Sequence, residues 1–178
     1  MYRPHESSAQ RPLRTLRPSL GRIARGVLIA LLGLPLQAEP SQAECLPDAA
    51  SVVDGDSVSC TGTNTDAYTV PDTPTPINEV TVTIEEGASF NVDGPHAVSV
   101  NDLGGIVNLG TIDVGTDAGA GLLTGTGNES RIENFGDINV SGVGATGIVL
   151  GPSSETENES RVQNFGDINV SGVGATGI

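Results

Sequence analysis

Three glycines in the stretch NVSGVGATGI, Gly142, Gly144 and Gly147, stand at G-x-G-x-x-G spacing directly after the alternating run DINV. That spacing binds a dinucleotide when a tight turn brings the pyrophosphate onto the N–H groups that open a helix. The next residues, IVLGPSSETENES, oppose a helix: Gly151 and Pro152 interrupt it, and no apolar residues recur at i, i+3 and i+4. Asp167 lies where a ribose-binding acid would be wanted, but it belongs to another copy of the same motif. The triplet is therefore read as repeat structure, and no nucleotide is expected.

Other chemistry is thinly supplied. A glycosidase needs two carboxyl groups held at a set separation, and nothing in the sequence holds Asp54 against Asp56 or Glu85 against Glu86, which read as solvated loop acids. A polysaccharide lyase needs an acid or base beside its sugar, with basic residues or calcium to neutralise a uronate. After residue 43 the only basic side chains are Arg131, Arg161 and His96; the arginines are encoded by the repeat, and His96, in the turn GPHA, reads as structural. The calcium-binding nonapeptide G-G-x-G-x-D-x-U-x does not occur. Asp137 and Asp167 fall at equivalent places of two repeats and read as exposed acids that water serves as well as an ion would. The expectation is no catalytic residue, no metal and no cofactor.

These residues must be positioned by a repeat. The block NESRIENFGDINVSGVGATGI, residues 128–148, returns as NESRVQNFGDINVSGVGATGI, residues 158–178, identical at 19 of 21 positions. Fainter copies precede it: VNLGTIDVGTDAGAGLL from Val107 aligns with the stretch from Glu133 at an offset of 26, and SFNVDGPHAVSV from Ser89 aligns with TIDVGTDAGAGL from Thr111 at an offset of 22. A constant kernel with a loop of changing length is the signature of a solenoid. Within one unit Ile138 and Val140 alternate with Asp137 and Asn139, so each segment is a half-buried strand. Rungs stacked about 4.8 Å apart would pair such strands in parallel around a thin aliphatic core. A propeller blade needs about 40 residues, and a sandwich would not repeat its sequence. The fold class expected is all-β, a parallel β-helix.

Its structural positions are Asn134, Gly136, Ile138, Val140, Gly144 and Gly147 in one copy, and Asn164, Gly166, Ile168, Val170, Gly174 and Gly177 in the next. The glycines supply positive φ or close backbone approach at corners. Asn134 stacked over Asn164 would form a side-chain amide ladder.

The first 43 residues read as a secretory signal peptide: six arginines precede the apolar run VLIALLGLPL, which ends in the small-residue patterns LQA and SQA. That run is about ten residues, against the roughly 20 of a spanning helix. Cleavage is placed after Ala43 in preference to Ala38, and Glu44 before Cys45 argues against a lipoprotein site. Of 22 acids and eight basic residues, two acids and six arginines lie in this segment, which leaves a mature chain with twenty acids, two arginines, no lysine and a net charge of −18. Such a surface repels phosphate backbones and anionic lipid, so nucleic acid is excluded as a partner. Cys45 and Cys60 in an exported chain are expected to pair. Residues 44–80, rich in Thr, Pro and Asp, are expected to contain an N-terminal cap stapled by that disulfide. Residues 81–178 are expected to be β-helix repeats cut off inside a copy, the beginning of a longer chain.

The pattern N-x-G-[TD]-I followed by G-x-x-A-x-G-I, in NLGTIDVGTDAGAGLL and NFGDINVSGVGATGI, resembles autotransporter passenger repeats over residues 82–178. CLPDAASVVDGDSVSC also resembles the mature N-terminus of such proteins, where a cysteine pair often precedes the first rungs. The resemblance implies export across the inner membrane and passage through a C-terminal outer-membrane β-barrel. The β-helix would then be displayed at the cell surface, or released outside, from a Gram-negative cell. No run of ten-residue alternating strands with aromatic girdles occurs here, so the expected barrel is absent from this sequence. The functional expectation is a non-enzymatic, adhesin-type passenger that binds a host-surface or cell–cell ligand. The alternative is the N-terminal part of a β-helical carbohydrate-active enzyme.

Overall fold

The computed structural model describes residues 44–72, 75–125, 129–151 and 159–178, and the signal peptide expected over 1–43 lies outside the described residues. Among these there is no helix; every element is a short strand, and the strands wind into a parallel β-solenoid of about four turns. Strand β1 (Glu44–Leu46) precedes the winding. The first turn is β2 (Ser57–Thr61), β3 (Thr63–Asn64) and β4 (Tyr68–Thr69), and the second is β5 (Thr81–Ile84), β6 (Ser89–Val92) and β7 (His96–Val100). The third is β8 (Gly105–Asn108), β9 (Thr111–Val114) and β10 (Ala120–Thr124); the fourth is β11 (Arg131–Asn134), β12 (Asp137–Val140) and β13 (Thr146–Val149). Strands β14 (Arg161–Asn164) and β15 (Ile168–Val170) begin a fifth, and Thr176 bridges Thr146 in place of its third strand.

Three sheets result, one from each strand of the turn, in the orders β1-β2-β5-β8-β11-β14, β3-β6-β9-β12-β15 and β4-β7-β10-β13. All pairings are parallel except β1 on β2, which is antiparallel and places Cys45 opposite Cys60. These two cysteines are disulfide-bonded. Strand β1 therefore covers the outer edge of β2, where an open parallel strand would offer its N–H and C=O groups to other chains. The Tyr68 hydroxyl ties the cap to the first turn by donating to the Pro47 carbonyl at 3.0 Å.

Alternation sends every second residue inward, and parallel register stacks like on like. Val58, Val82, Ile106, Ile132 and Val162 form one inner column, and Phe90, Ile112, Ile138 and Ile168 a second. Val92, Val114, Val140 and Val170 form a third, and Val98, Leu122 and Ile148 line the remaining sheet. Most are fully buried; the last members are more open, with Val162 and Ile168 half-buried and Val170 exposed.

Two registers differ from the sequence expectation. Residues 44–80 are more than a cap, because β2, β3 and β4 pair in parallel with β5, β6 and β7 and already form a turn that begins at Ser57. The ungapped offset of 22 holds between β6 and β9, whereas β7 pairs with β10 at an offset of 24, His96 against Ala120. The corner DGP is two residues shorter than its counterpart GTDAG, and the strands, not the corners, keep register.

The glycine positions divide by mechanism. Gly144 has φ +68 and open space where a Cβ would stand, whereas a Cβ on Gly136 would lie 2.0 Å from the Gly110 carbonyl oxygen of the turn before. Ala118 holds the corner equivalent to Gly144 with φ 55, so alanine is tolerated there at a conformational cost only. We expect Gly144→Ala to lose about 1 kcal/mol. Gly136→Ala should lose about 2–3 kcal/mol, because two backbones must separate. Thermal melts of the two variants check the order; equal losses would mean that the rungs do not approach at Gly136.

Candidate functional site

The residues with chemical potential are built into corners and outward columns. Gly142 and Gly144 lie in the corner between β12 and β13, and Gly147 lies inside β13, so the triplet runs into a strand. No helix N-terminus is present at this corner to receive a pyrophosphate. The carboxylates weighed as acid–base pairs serve the chain's own donors instead. Asp54 accepts from the N–H of Asn78 at 2.7 Å, Asp56 from that of Val53 at 2.8 Å, and Glu85 from the Ser59 hydroxyl at 2.7 Å. Hydrogen bonds from the Ser51 hydroxyl and N–H, with one from Ala50, hold the Asp48 carboxyl below its usual value. Tyr68 is pushed up to about 12, first by burial and then by the Asp48 and Asp56 carboxylates, and stays a neutral donor to Pro47.

His96 starts β7 half-buried, with its Nε2 2.7 Å from the Thr69 hydroxyl of the turn before. Burial lowers its pKa, which favours the neutral ring in the folded state. The folded state therefore binds fewer protons than the unfolded chain, whose histidine titrates near about 6.5. Stability is whole above that pH and is lost as pH falls through the lower folded value. We expect the melting temperature of a His96→Gln variant to fall less than that of the parent between about pH 7.5 and pH 5.5. Parallel curves for the two proteins would remove His96 as the cause.

Inside the solenoid, one column changes character along its length: Cys60 and Ile84 are followed by Asn108, Asn134 and Asn164. The Asn108 amide donates to Asn134 Oδ1 at 2.7 Å, and the Asn134 amide to Asn164 Oδ1 at 2.7 Å. Each asparagine also caps the following corner: Asn108 accepts from the Gly110 N–H, while Asn134 and Asn164 donate to the carbonyls of Gly136 and Gly166. Asn108 and Asn134 are fully buried, and the ladder satisfies what burial would otherwise leave unpaired. Sequence reasoning reached the Asn134–Asn164 step and missed Asn108, although the offset of 26 already aligned NLG with NFG.

The outer faces carry their own columns. Asn169 donates to Asn139 and Asn139 to Asp113, at 3.1 and 2.8 Å, and Asp137 and Asp167 lie on neighbouring turns, exposed. Phe135 and Phe165 stack at 5.0 Å between centroids although they are 48% and 65% exposed, and Leu109 precedes them at the same corner. Sequence reasoning missed this stack, whose signal was the 30-residue spacing of the two phenylalanines. Arg131 pairs with Glu133 on its own strand and donates to Gln163 of the next turn at 3.1 Å. Among the described residues no three metal-ligating side chains gather. What the arrangement can do is present laddered polar and apolar rows to a partner. Comparison of the chain with family models, with curated proteins and with solved structures finds no match.

Proposed function

We propose that this chain is the N-terminal, β-helical part of an autotransporter-like passenger, an adhesin-type rod that is exported and displayed to bind a partner. The observation that carries the reading is the stacking of side chains in register on outward faces, with Phe135 on Phe165 and a polar ladder of Asn169 on Asn139 on Asp113. A repeated, exposed row serves recognition by an extended surface, whereas catalysis needs converging groups at one point. The leader over residues 1–43 and the disulfide between Cys45 and Cys60 fit an oxidising destination. Display outside the cell puts the ligand on a host surface or on a neighbouring cell.

The test is made in the cell that encodes the chain. Antibody raised against residues 44–178 should label intact cells, protease added outside should remove the signal, and N-terminal sequencing should begin at Glu44. An unprocessed protein confined to the cytoplasm would sink the proposal.

A further inference from the structure

On the face of the first sheet, Thr81, Gly105 and Arg131 follow one another in register as an outward column, so the missing side chain at Gly105 opens a notch between turns. The cleft there measures about 310 Å³ and is bordered by Leu103, Val107, Glu129, Arg131 and Glu133. Its two sides differ. Leu103, held at a corner with φ 57 and 41% exposed, and the outward Val107 make it apolar. Arg131 borders the cleft as well, with its guanidinium charge taken up by Glu133 on the same strand and its N–H donating to Gln163 of the turn beyond. Glu129 is exposed and has no ion-pair partner among the described residues, so the notch joins an apolar wall to an unneutralised carboxylate.

An apolar stem ending in a cation matches both features, as in lysine and arginine. Three further facts favour a basic protein over other occupants. The chain beyond residue 43 carries a net charge of −18, which draws cations toward it from a distance. It has no lysine, and of its two arginines Arg131 is already paired, which leaves a second copy only the exposed Arg161 to offer. Among the described residues the notch has no aromatic platform of the kind that commonly seats a sugar ring. We propose that the Gly105 notch is a docking pocket for a lysine or arginine side chain of a basic protein partner. This names the partner chemistry for the displayed rod and rests on that reading for its biological setting.

The test is a titration of the full chain with an end-blocked hexapeptide of alternating threonine and lysine, and with the same peptide carrying norleucine for lysine. Gly105→Thr fills the notch without altering charge; its Cβ would meet only the Thr81 side chain, at 3.3 Å. Because Gly105 has no positive φ and lies in a strand, the variant should fold with an equal or higher melting temperature. Lysine-peptide binding should weaken about tenfold or more in Gly105→Thr and in Glu129→Gln. It should change less than about twofold in Asp137→Asn, which removes one exposed charge from another sheet. The norleucine peptide should not bind.

Equal loss in Glu129→Gln and Asp137→Asn with none in Gly105→Thr would mean that the general field alone attracts the peptide, and the pocket falls. Absence of binding also overturns it, as does preference for a neutral hexose oligomer that Gly105→Thr abolishes. Should Gly105→Thr not fold, Glu129→Gln against Asp137→Asn decides. The titration does not depend on where the protein resides: a chain that binds lysine but never reaches the surface would defeat display and leave the notch, and the converse outcome is equally distinct.

Discussion

Ile138→Ala is expected to cost about 4 kcal/mol, within the range of about 2–5 measured when a buried isoleucine or leucine is truncated. Ile138 is fully buried and stands in register between Ile112 and Ile168, so its methyl groups fill the space between neighbouring turns of a four-member column. A solenoid core is one side chain thick along each column, and backbones pinned by parallel ladders cannot collapse into the space left behind. The melting temperature should drop by about 10 °C or more. Val170→Ala is the comparison, because Val170, the counterpart of Val140 in the neighbouring column of the last strand, is 43% exposed and has less contact to lose. It should cost about 1 kcal/mol. If the two variants melted alike, the register that stacks Ile138 on its neighbours would be wrong.

The second large effect is the loss of the Cys45–Cys60 bond. The bond closes a separation of 15 residues, for which removal of loop entropy from the unfolded chain is worth about 3 kcal/mol. Cys60 is also fully buried at the head of the column that continues through Ile84 to the asparagine ladder, so Cys60→Ala opens space as well. Release of β1 uncovers the edge of β2, where strand pairing with other chains begins. Protein from an oxidising compartment should therefore resist thiol alkylation until reductant is added. With reductant, or as the Cys45→Ala, Cys60→Ala double variant, its denaturation midpoint should fall and its tendency to associate should rise. Labelling of both thiols without reductant, or melting unchanged by reductant, would defeat this account.

The glycine triplet shows how a local motif is decided by its neighbours. Gly142, Gly144 and Gly147 match a dinucleotide fingerprint in spacing, yet β13 stands where the fingerprint requires a helix. The sequence already carried that answer in Gly151, Pro152 and the return of the motif 30 residues later. Gly144 alone of the three has positive φ; Gly142 and Gly147 are small because a Cβ would strike the carbonyls of Thr116 and Gly177 in adjoining turns.

Sequence alone established that this protein is all-β, winds in parallel and buries Ile138, Val140, Ile168 and their equivalents toward one axis. Period-2 alternation repeated at intervals of 22 to 30 residues admits few other solutions. It also paired the cysteines and foresaw Asn134 above Asn164. Tertiary pairing set where the winding starts, because β3 and β4 have two residues each, too short for their alternation to show as a repeat. It decided that Phe135 and Phe165 stack outside the core, since side-chain direction at a corner depends on the turn's dihedral angles and not on alternation. It decided the notch as well: Gly105 is one glycine among 24 in the sequence, and becomes a gap only once register sets it between Thr81 and Arg131.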